Sequence, residues 1–504
     1  MTELAYPSGL AKRTSHLGLW TAREVLQPRQ VFGFRDVVVE GLAFHSAEVR
    51  PGTLFFAIRG SRRDGAEFVR QAVGRGAAAV VAETPLDVPC PMLVVDSCRR
   101  ALADMAAFYY GRPSRALKVL GVTGTNGKTT AVHLIRECMQ ADRRSTGLLG
   151  TIGYEYGGRR IPAANTTPDP LRLQGYMREM VDRGCSTCVM EVSSHALDQE
   201  RVRGVDFDVG LFLNLSRDHL DYHGSMQAYA EAKARLFTSL GPGAHACLSL
   251  DSRVSRSIMD CIDPSVRVHT YGLHADAELR AENLSLSLEG TRFELVMPRG
   301  RVDLWFRLPG EHNVQNALGA ASVALACGVS ELTVAQALEE ARPVRGRLEL
   351  VGYRGGKRVF VDYAHTPEAL TRVCDTLRPL TDGRLIVVFG CGGDRDRSKR
   401  PLMSQAVARG ADVAILTSDN PRSEDPEAIL DEMEDGLTAE DLVYARISDR
   451  AQAIACAVQE AQPGDTVLIA GKGHETYQIL EDSVVPFDDR IVARHVLEKL
   501  ESET

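Results

Sequence analysis

No stretch of the 504 residues stays apolar over the ~20 positions that a membrane span needs, which excludes a spanning helix. The opening segment, MTELAYPSGLAKRTSHLG, has neither an apolar core nor a small-residue cleavage site, so no secretory leader is expected. A basic tract is missing too. Lys plus Arg total 59 against 67 Asp plus Glu, a formal net charge of -8, which argues against nucleic acid and against an anionic membrane surface as partners. Regularly paired cysteines are also lacking. The number, 11, is odd, and they are scattered through apolar segments such as Ala326-Cys327-Gly328, the pattern of reduced core thiols. The single C-x-x-C, Cys185 and Cys188, has no second pair to complete a metal site and runs into Val189-Met190, so a buried strand is expected there. These absences point to a cytoplasmic chain without membrane insertion.

What remains is ordinary globular composition, 44% hydrophobic and 25% charged, long enough for about three domains at ~150 residues each. One stretch organises it: KVLGVTGTNGKTTA, Lys118 to Ala131, where an apolar run breaks into a Gly-bearing loop and resumes as helix-compatible sequence. Gly124 and Gly127 permit a tight turn whose N–H groups face a polyphosphate, and a helix starting near Lys128 adds its positive end. Lys128 neutralises β/γ-phosphate charge, and the Thr129 hydroxyl is the natural Mg²⁺ ligand. The strict Walker spacing would need glycine where Val122 stands, so the loop is the shorter G-T-x-G-K-T-T variant, which points toward ligases rather than GTPases or motor ATPases.

Upstream, VVVEGLAFHSAEVRPGTLFFAIRG, AEFVRQAVGRGAAAVVAE and PMLVVD alternate short strands with small-residue helices, a small α/β unit. Ser46 in its loop is either a ligand contact or a turn residue. A helix from Cys98 to Tyr110 ends at Gly111-Arg112-Pro113-Ser114, a boundary signal. Downstream, apolar strands ending at Gly150, Ser193-Ser194-His195 and Asn214 alternate with helical patterns such as Leu171 to Arg183, a doubly wound parallel sheet with its site at the strand ends. Glu191 and His219 lie just past two of these strands. Each is either a Mg²⁺ ligand or a structural group, an ion-paired carboxylate for Glu191 and a satisfied core imidazole for His219.

In YAEAKARLF, Tyr229, Lys233 and Leu236 share a helix face, and spacing alone makes Lys233 a snorkelling surface lysine. From about Ser249 to Phe306 the alternation predicts small antiparallel strands, notably TRFELVMP and RVDLWFRLP. Asn313 and Asn316 open the next helix, where Asn either caps or touches a base or ribose. After a hinge at Pro343 to Gly346, the strands in RVFVDYAHTPEAL, RLIVVFGCGGDRDRSKRP, ADVAILTSDNPRSEDP and DTVLIAGKGHE each run into polar, Gly-bearing loops, a Rossmann-type sheet. Asp394, Arg395, Asp419, Arg422, Lys472 and Glu475 gather on those loops, a charge set suited to a zwitterion as well as to phosphate.

Taken together, GTNGKTT, NTTPDP, EVSSHALDQERV, LSRDHLDYHG, YAEAKARLF, HNVQNALGA, GRLE, DYAHTP, GCGGDRD, DNPR and GKGHE, all in one order, resemble the Mur ligases. The similarity is greatest to the members that add the third stem-peptide residue of peptidoglycan. It implies an α/β chain of three domains: a UDP-sugar-binding domain over 1–113, a central ATP-binding domain over 114–344 and a Rossmann-like amino-acid-binding domain over 345–504. The implied reaction is ATP-dependent addition of meso-diaminopimelate to UDP-N-acetylmuramoyl-L-alanyl-D-glutamate through an acyl phosphate, by a monomer. Addition of L-lysine and a folylpolyglutamate-type ligation are the alternatives.

Carried over motif by motif, Gly124, Thr125, Asn126, Gly127, Lys128, Thr129 and Thr130 hold ATP phosphates, with Asn313, Arg347 and Asp362 near the nucleotide. Thr129, Glu191, His219 and a carbamylated Lys233 are the implied Mg²⁺ ligands. Ser46, Asn165, Thr166, Thr167, Ser193, Gln199 and Arg201 match contacts to the UDP-muramoyl dipeptide. Arg395, Asp419, Asn420, Pro421, Arg422, Gly471 and Glu475 match the diaminopimelate site. Two places depart from the family pattern: His45-Ser46-Ala47 where Asp-Ser-Arg is usual, and His312-Asn313 where Phe-Asn is usual.

Overall fold

The computed structural model of the protein describes residues 17–60, 63–437, 442–481 and 483–502; most of the amino-terminal segment, where a leader would stand, lies outside them. Two compact units divide the chain, Met1–Tyr271 with Gly319–Ser330, and Gly272–Leu318 with Glu331–Thr504.

The first unit holds a short antiparallel pair, Leu17–Gly18 with Val38–Val39, and two main sheets. The smaller runs in the order Gln30–Phe32, Met92–Val94, Ala77–Ala82, Thr53–Phe56, Gly41–Ala43, parallel except for its first strand. Every residue of Thr53–Phe56 is buried, as expected of a strand covered on both faces. The helix Cys98–Tyr109 starts at a Ser97 side-chain cap and lays its Ala- and Leu-rich face on this sheet, with Leu171 of a later helix packing into the same core.

The larger sheet of this unit has a parallel core in the order Thr146–Leu149, Thr187–Glu191, Lys118–Thr123, Val209–Phe212, His245–Ser249, Arg267–Gly272. An antiparallel hairpin, Tyr154–Tyr156 and Arg159–Ile161, extends its Thr146–Leu149 edge. Lys118–Thr123 is flanked by strands on both sides, so the loop that leaves it opens inside the sheet rather than at an edge. Cys188 is buried in Thr187–Glu191 and Cys185 is buried just before it, both as free thiols, as the apolar context indicated. The segment after Ser249 is less uniform than its alternation suggests. Val254–Met259 is helical and returns the chain to a parallel strand, Arg267–Gly272, before the antiparallel pattern begins.

In the second unit Leu279–Ser287, Gly290–Met297 and Gly300–Phe306 form the expected antiparallel meander. Its main sheet runs Glu349–Arg354, Lys357–Asp362, Thr466–Ala470, Leu385–Phe389, Val413–Leu416, Val443–Arg446, parallel but for the first strand. The helix Pro367–Leu377 enters through a Thr366 cap with Pro at its first turn. Among the described residues no helix is long and apolar enough to cross a membrane.

Candidate active site

In the first unit the loop after Lys118–Thr123 is a phosphate cradle in geometry as well as sequence. Gly127 sits at φ 86°, a left-handed conformation that lets the chain turn directly into the helix Lys128–Ala141. Asn214, just past the neighbouring strand Val209–Phe212, holds the loop: its side-chain oxygen accepts the Asn126 N–H at 3.0 Å, and its backbone carbonyl accepts the Thr125 N–H at 3.0 Å. The Tyr229 hydroxyl donates to Thr125 Oγ1 at 3.2 Å. Lys128 Nζ folds over the loop, donating to the carbonyls of Gly124 at 2.9 Å and Thr125 at 2.8 Å.

Glu191, the last residue of its strand, is buried and has no ion pair among the described residues, so the structural salt bridge is not what holds it. Its Oε1 accepts from the Thr129 hydroxyl at 3.0 Å and the Thr151 N–H at 2.8 Å, and its Oε2 accepts from the Thr151 hydroxyl at 3.1 Å. A threonine hydroxyl and a carboxylate thus meet beside Lys128, an oxygen pair that suits a hard divalent cation. No group of three His, Cys, Asp or Glu stands in metal-holding geometry among the described residues. His219 is no core histidine. Its side chain is 45% exposed, its φ is 53°, and its ring meets those of His195 at 4.8 Å and Tyr229 at 6.1 Å.

The surface reading of Lys233 does not hold. Tyr229, Lys233 and Leu236 face inward from Met226–Thr238, and Lys233 is 0% exposed. Its Nζ donates to the Gly124 carbonyl at 2.8 Å and lies 4.4 Å from the Tyr229 ring centroid. Burial, then the nearby Lys128 charge, holds this amine well below the usual lysine range, against an opposing pull from Asp218. Spacing could not show this, because the helix packs its mixed face on the cradle rather than on solvent.

The dipeptide-site residues form a chain of contacts leading from Glu191. Thr166 Oγ1 lies 3.1 Å from Thr151 Oγ1, and Thr167 Oγ1 donates to the Glu191 carbonyl at 2.7 Å and accepts the Ser193 N–H at 3.1 Å. Ser193 caps the short helix Ser194–Asp198, and Arg201 donates to the Thr167 carbonyl at 3.2 Å and to Gln199 Oε1 at 2.7 Å. Asn165, Gln199 and Arg201 line a cleft of about 200 Å³ together with Phe44, His45, Arg99 and Arg172. Ser46 is not among its lining residues; its hydroxyl donates to Gln71 at 2.8 Å, while His45 faces the cleft. Arg99 and Arg172 went unnoticed in the sequence, since arginines near the starts of two helices carry no signal apart from the fold that turns both toward one cleft.

The second unit brings the Rossmann strand ends together. Lys472 Nζ donates to Asn420 Oδ1 and to Glu475 Oε2, both at 3.0 Å, and Asn420 Nδ2 donates to Glu475 Oε2 at 3.0 Å. Arg422, at φ 55°, donates from Nη1 to the Gly393 carbonyl at 2.6 Å, and Pro421 is buried. Gly471 sits at φ 114°, where a Cβ would come within 2.7 Å of Asp419 Oδ2, so these two loops touch only because position 471 has no side chain. Arg395 lies on an exposed loop and donates to the neighbouring Asp394 carbonyl at 3.4 Å.

Nearby, Asp362 is buried, accepting the Leu348 N–H at 2.6 Å and the Ala364 N–H at 2.8 Å. Burial raises its pKa against the charge of Arg347, whose guanidinium stacks 4.7 Å from the Tyr363 ring centroid. Asn313 does not cap. It lies inside the first turn of Glu311–Ala326, where its amide donates to the Pro309 carbonyl at 2.9 Å. His312 lies 3.3 Å from the Thr376 hydroxyl, and burial pushes its imidazole down to about 4.

Known proteins resemble the chain along most of its length. Residues 38–110 match the Mur ligase family catalytic domain, 122–324 the Mur ligase middle domain, and 346–473 the Mur ligase glutamate ligase domain. A UDP-N-acetylmuramoyl-L-alanyl-D-glutamate--2,6-diaminopimelate ligase of Geobacillus thermodenitrificans (strain NG80-2) is 48% identical over 468 residues, 92% of this chain and 95% of that protein. A solved structure of a ligase of the same name superposes with TM-score 0.67 at 35% identity, covering 92% of this chain and 96% of that one. A Mycobacterium tuberculosis folylpolyglutamate synthase shares the fold at TM-score 0.61 and 20% identity, covering 74% of this chain and 92% of its own. With its motifs, its cradle and three successive family domains in agreement, the chain belongs to the Mur ligase family.

Proposed function

We propose that the protein joins meso-diaminopimelate to UDP-N-acetylmuramoyl-L-alanyl-D-glutamate, converting ATP to ADP and phosphate, in the cytoplasmic synthesis of peptidoglycan precursors. The observation that carries this is the 48% identity, sustained over 92% of the chain, to a ligase of that name, in a molecule that keeps both the phosphate cradle and the strand-end charge cluster. The division of labour follows the three sequence-defined domains, 1–113 for the UDP-sugar, 114–344 for ATP and 345–504 for the amino acid, in a monomer.

The γ-carboxylate of the D-glutamyl residue is a poor electrophile. One of its oxygens attacks the γ-phosphorus of ATP, the bond to ADP breaks, and an acyl phosphate forms. Lys128 and the cradle N–H groups stabilise the charge on the transferring phosphoryl group. The deprotonated amine of diaminopimelate then attacks the acyl carbon, and the tetrahedral adduct collapses as its nitrogen gives up a proton and the C–O bond to phosphate breaks, leaving the amide and free phosphate. Thr129 and Glu191, with His219 and a carbamylated Lys233, would hold Mg²⁺, which supplies Lewis-acid neutralisation of phosphate oxygens. The setting of Lys233 favours that modification: burial lowers its pKa and so favours the unprotonated amine that adds CO₂, and the carbamate turns a lysine into an oxygen ligand. The cleft of Asn165, Gln199 and Arg201 suits the UDP-muramoyl dipeptide, with Arg99 and Arg172 facing an anionic part of it. Asn313, Arg347 and Asp362 serve the nucleotide, and Arg395, Asp419, Asn420, Arg422, Gly471 and Glu475 the amino acid.

The experiment is phosphate release by purified protein given ATP, Mg²⁺, the UDP-muramoyl dipeptide and a panel of amino acids. Release that depends on meso-diaminopimelate is expected. Equal turnover with L-lysine, or turnover with a folate acceptor in place of the muramoyl dipeptide, would refute the reading.

A further inference from the structure

Lys472 lies in the GKGHE stretch, and none of the site roles above is given to it. This side chain follows the site glycine Gly471 and is 0% exposed. Complete burial of an ammonium is unfavourable unless its donors are used, and a methionine of similar length would fill the same space at lower desolvation cost. Its donors are used on two residues of the strand-end cluster, Asn420 Oδ1 and Glu475 Oε2.

The contacts around Asn420 fix its orientation. The Ile479 backbone N–H, whose direction is set by the strand Tyr477–Leu480, donates to Oδ1 at 2.9 Å, and Lys472 donates to the same oxygen. Two donors converging there require the oxygen on that side, so the Asn420 NH₂ faces Glu475. That NH₂ and Lys472 both donate to Glu475 Oε2, and among the described residues Oε1 accepts no hydrogen bond. One oxygen of a half-buried carboxylate is thereby left as an oriented acceptor.

The frame behind it is rigid. Arg450, buried and ion-paired with Asp489 at 2.7 Å, donates to the Ala470 carbonyl at 2.9 Å and the Ser418 carbonyl at 3.4 Å, tying together the strand ends that precede Gly471 and Asp419.

We propose that Lys472 is a positioning residue for the amino-acid substrate: it holds Asn420 and Glu475 so that Glu475 Oε1 is presented to an ammonium group of a diamino acid. The proposal rests on the reading of this cluster as the diaminopimelate site.

The test compares wild type, Lys472→Met, Asn420→Ala and the double variant by phosphate release, with KM measured for meso-diaminopimelate, ATP and the UDP-muramoyl dipeptide. For Lys472→Met the expected result is a KM for meso-diaminopimelate raised about tenfold or more, a KM for ATP within about twofold of wild type, and a smaller loss in kcat. Because Lys472 acts in part through Asn420, the losses of the two single variants are expected to combine to less than their product in the double variant. Should Lys472→Met fail to accumulate as folded protein, Lys472→Gln, which retains a donor for one of the two acceptors, is expected to show an intermediate KM.

A KM for meso-diaminopimelate within about threefold of wild type, a parallel loss in the KM for ATP, or single losses that multiply in the double variant would overturn the inference. Absence of wild-type turnover with meso-diaminopimelate would instead overturn the site assignment beneath it.

Discussion

Replacing Arg422 with alanine removes the guanidinium that would separate diaminopimelate from lysine. The backbone at this position is pinned on both sides, the Arg422 N–H donating to the Ile479 carbonyl at 3.2 Å and the Glu481 N–H donating to the Arg422 carbonyl at 2.7 Å. Alanine meets the same left-handed strain at φ 55° that arginine already bears, so the substitution should leave the loop in place. Nη1 is engaged with Gly393, which orients the planar group and leaves Nε and Nη2 as a fork for a carboxylate.

Two charge-assisted hydrogen bonds at about 1.5–3 kcal/mol each give about 3–6 kcal/mol, and the half-buried setting of Arg422 places the effect in the lower half of that range. This corresponds to a fall of about 10²–10³ in kcat/KM for meso-diaminopimelate. The same reasoning gives a similar handicap to L-lysine in the wild-type enzyme, because it lacks the distal carboxylate and leaves the fork unpaired. The assay is phosphate release against amino-acid concentration, with the KM for ATP as control. A variant within about threefold of wild type in kcat/KM, or a wild-type enzyme that uses lysine as well as diaminopimelate, would refute the argument.

Lys128→Ala should lose turnover by about 10³ or more with an unchanged thermal midpoint, since its ammonium acts on phosphoryl charge while its hydrogen bonds to Gly124 and Thr125 stay within its own loop; activity within a few-fold of wild type would remove the cradle from the mechanism. Lys233→Ala should be nearly inactive and partly rescued by a short-chain carboxylic acid, and intact-mass measurement of active wild type should show the added CO₂; an unmodified amine in fully active enzyme would exclude the carbamate. Stability should fall in mild acid. His195, pushed down to about 4 by burial and then by His219 and His223, and His312, pushed down to about 4 by burial and then by Arg372, both take up protons near pH 6.5 when unfolded but not when folded. Their contribution is therefore present above about pH 6.5 and lost as the pH falls toward about 4, and a urea midpoint that stayed constant between these limits would contradict it.

Local order along the chain determines much of this protein. The apolar run of Lys118–Thr123, the glycines after it and the helix-compatible stretch from Lys128 outline a cradle, because strand, tight turn and helix dipole are all short-range properties. The same holds for the helix ends at Ser97 and Thr366, where the capping side chain lies within three residues of the N–H it satisfies. The approximate positions of Glu191, Asp419, Arg422 and Glu475 at strand ends are legible in the sequence for that reason too.

What a side chain does once it reaches a strand end depends on partners far away in sequence, and the tertiary structure decides it. Lys233 has the helical spacing of a surface lysine and becomes a buried amine because its helix packs on a carbonyl 109 residues earlier. Ser46 turns its hydroxyl to Gln71 and yields the cleft to His45, while Arg99 and Arg172 gain a shared purpose only where two helices converge. Lys472 is one charge among several in GKGHE until folding carries Asn420, 52 residues away, to its ammonium. The physical reason is common to all of these: propensity and turn chemistry act over a few residues, whereas burial and the pairing of charges follow from the close packing of distant segments, where an unpaired polar group is expensive and each partner is therefore specified by the fold.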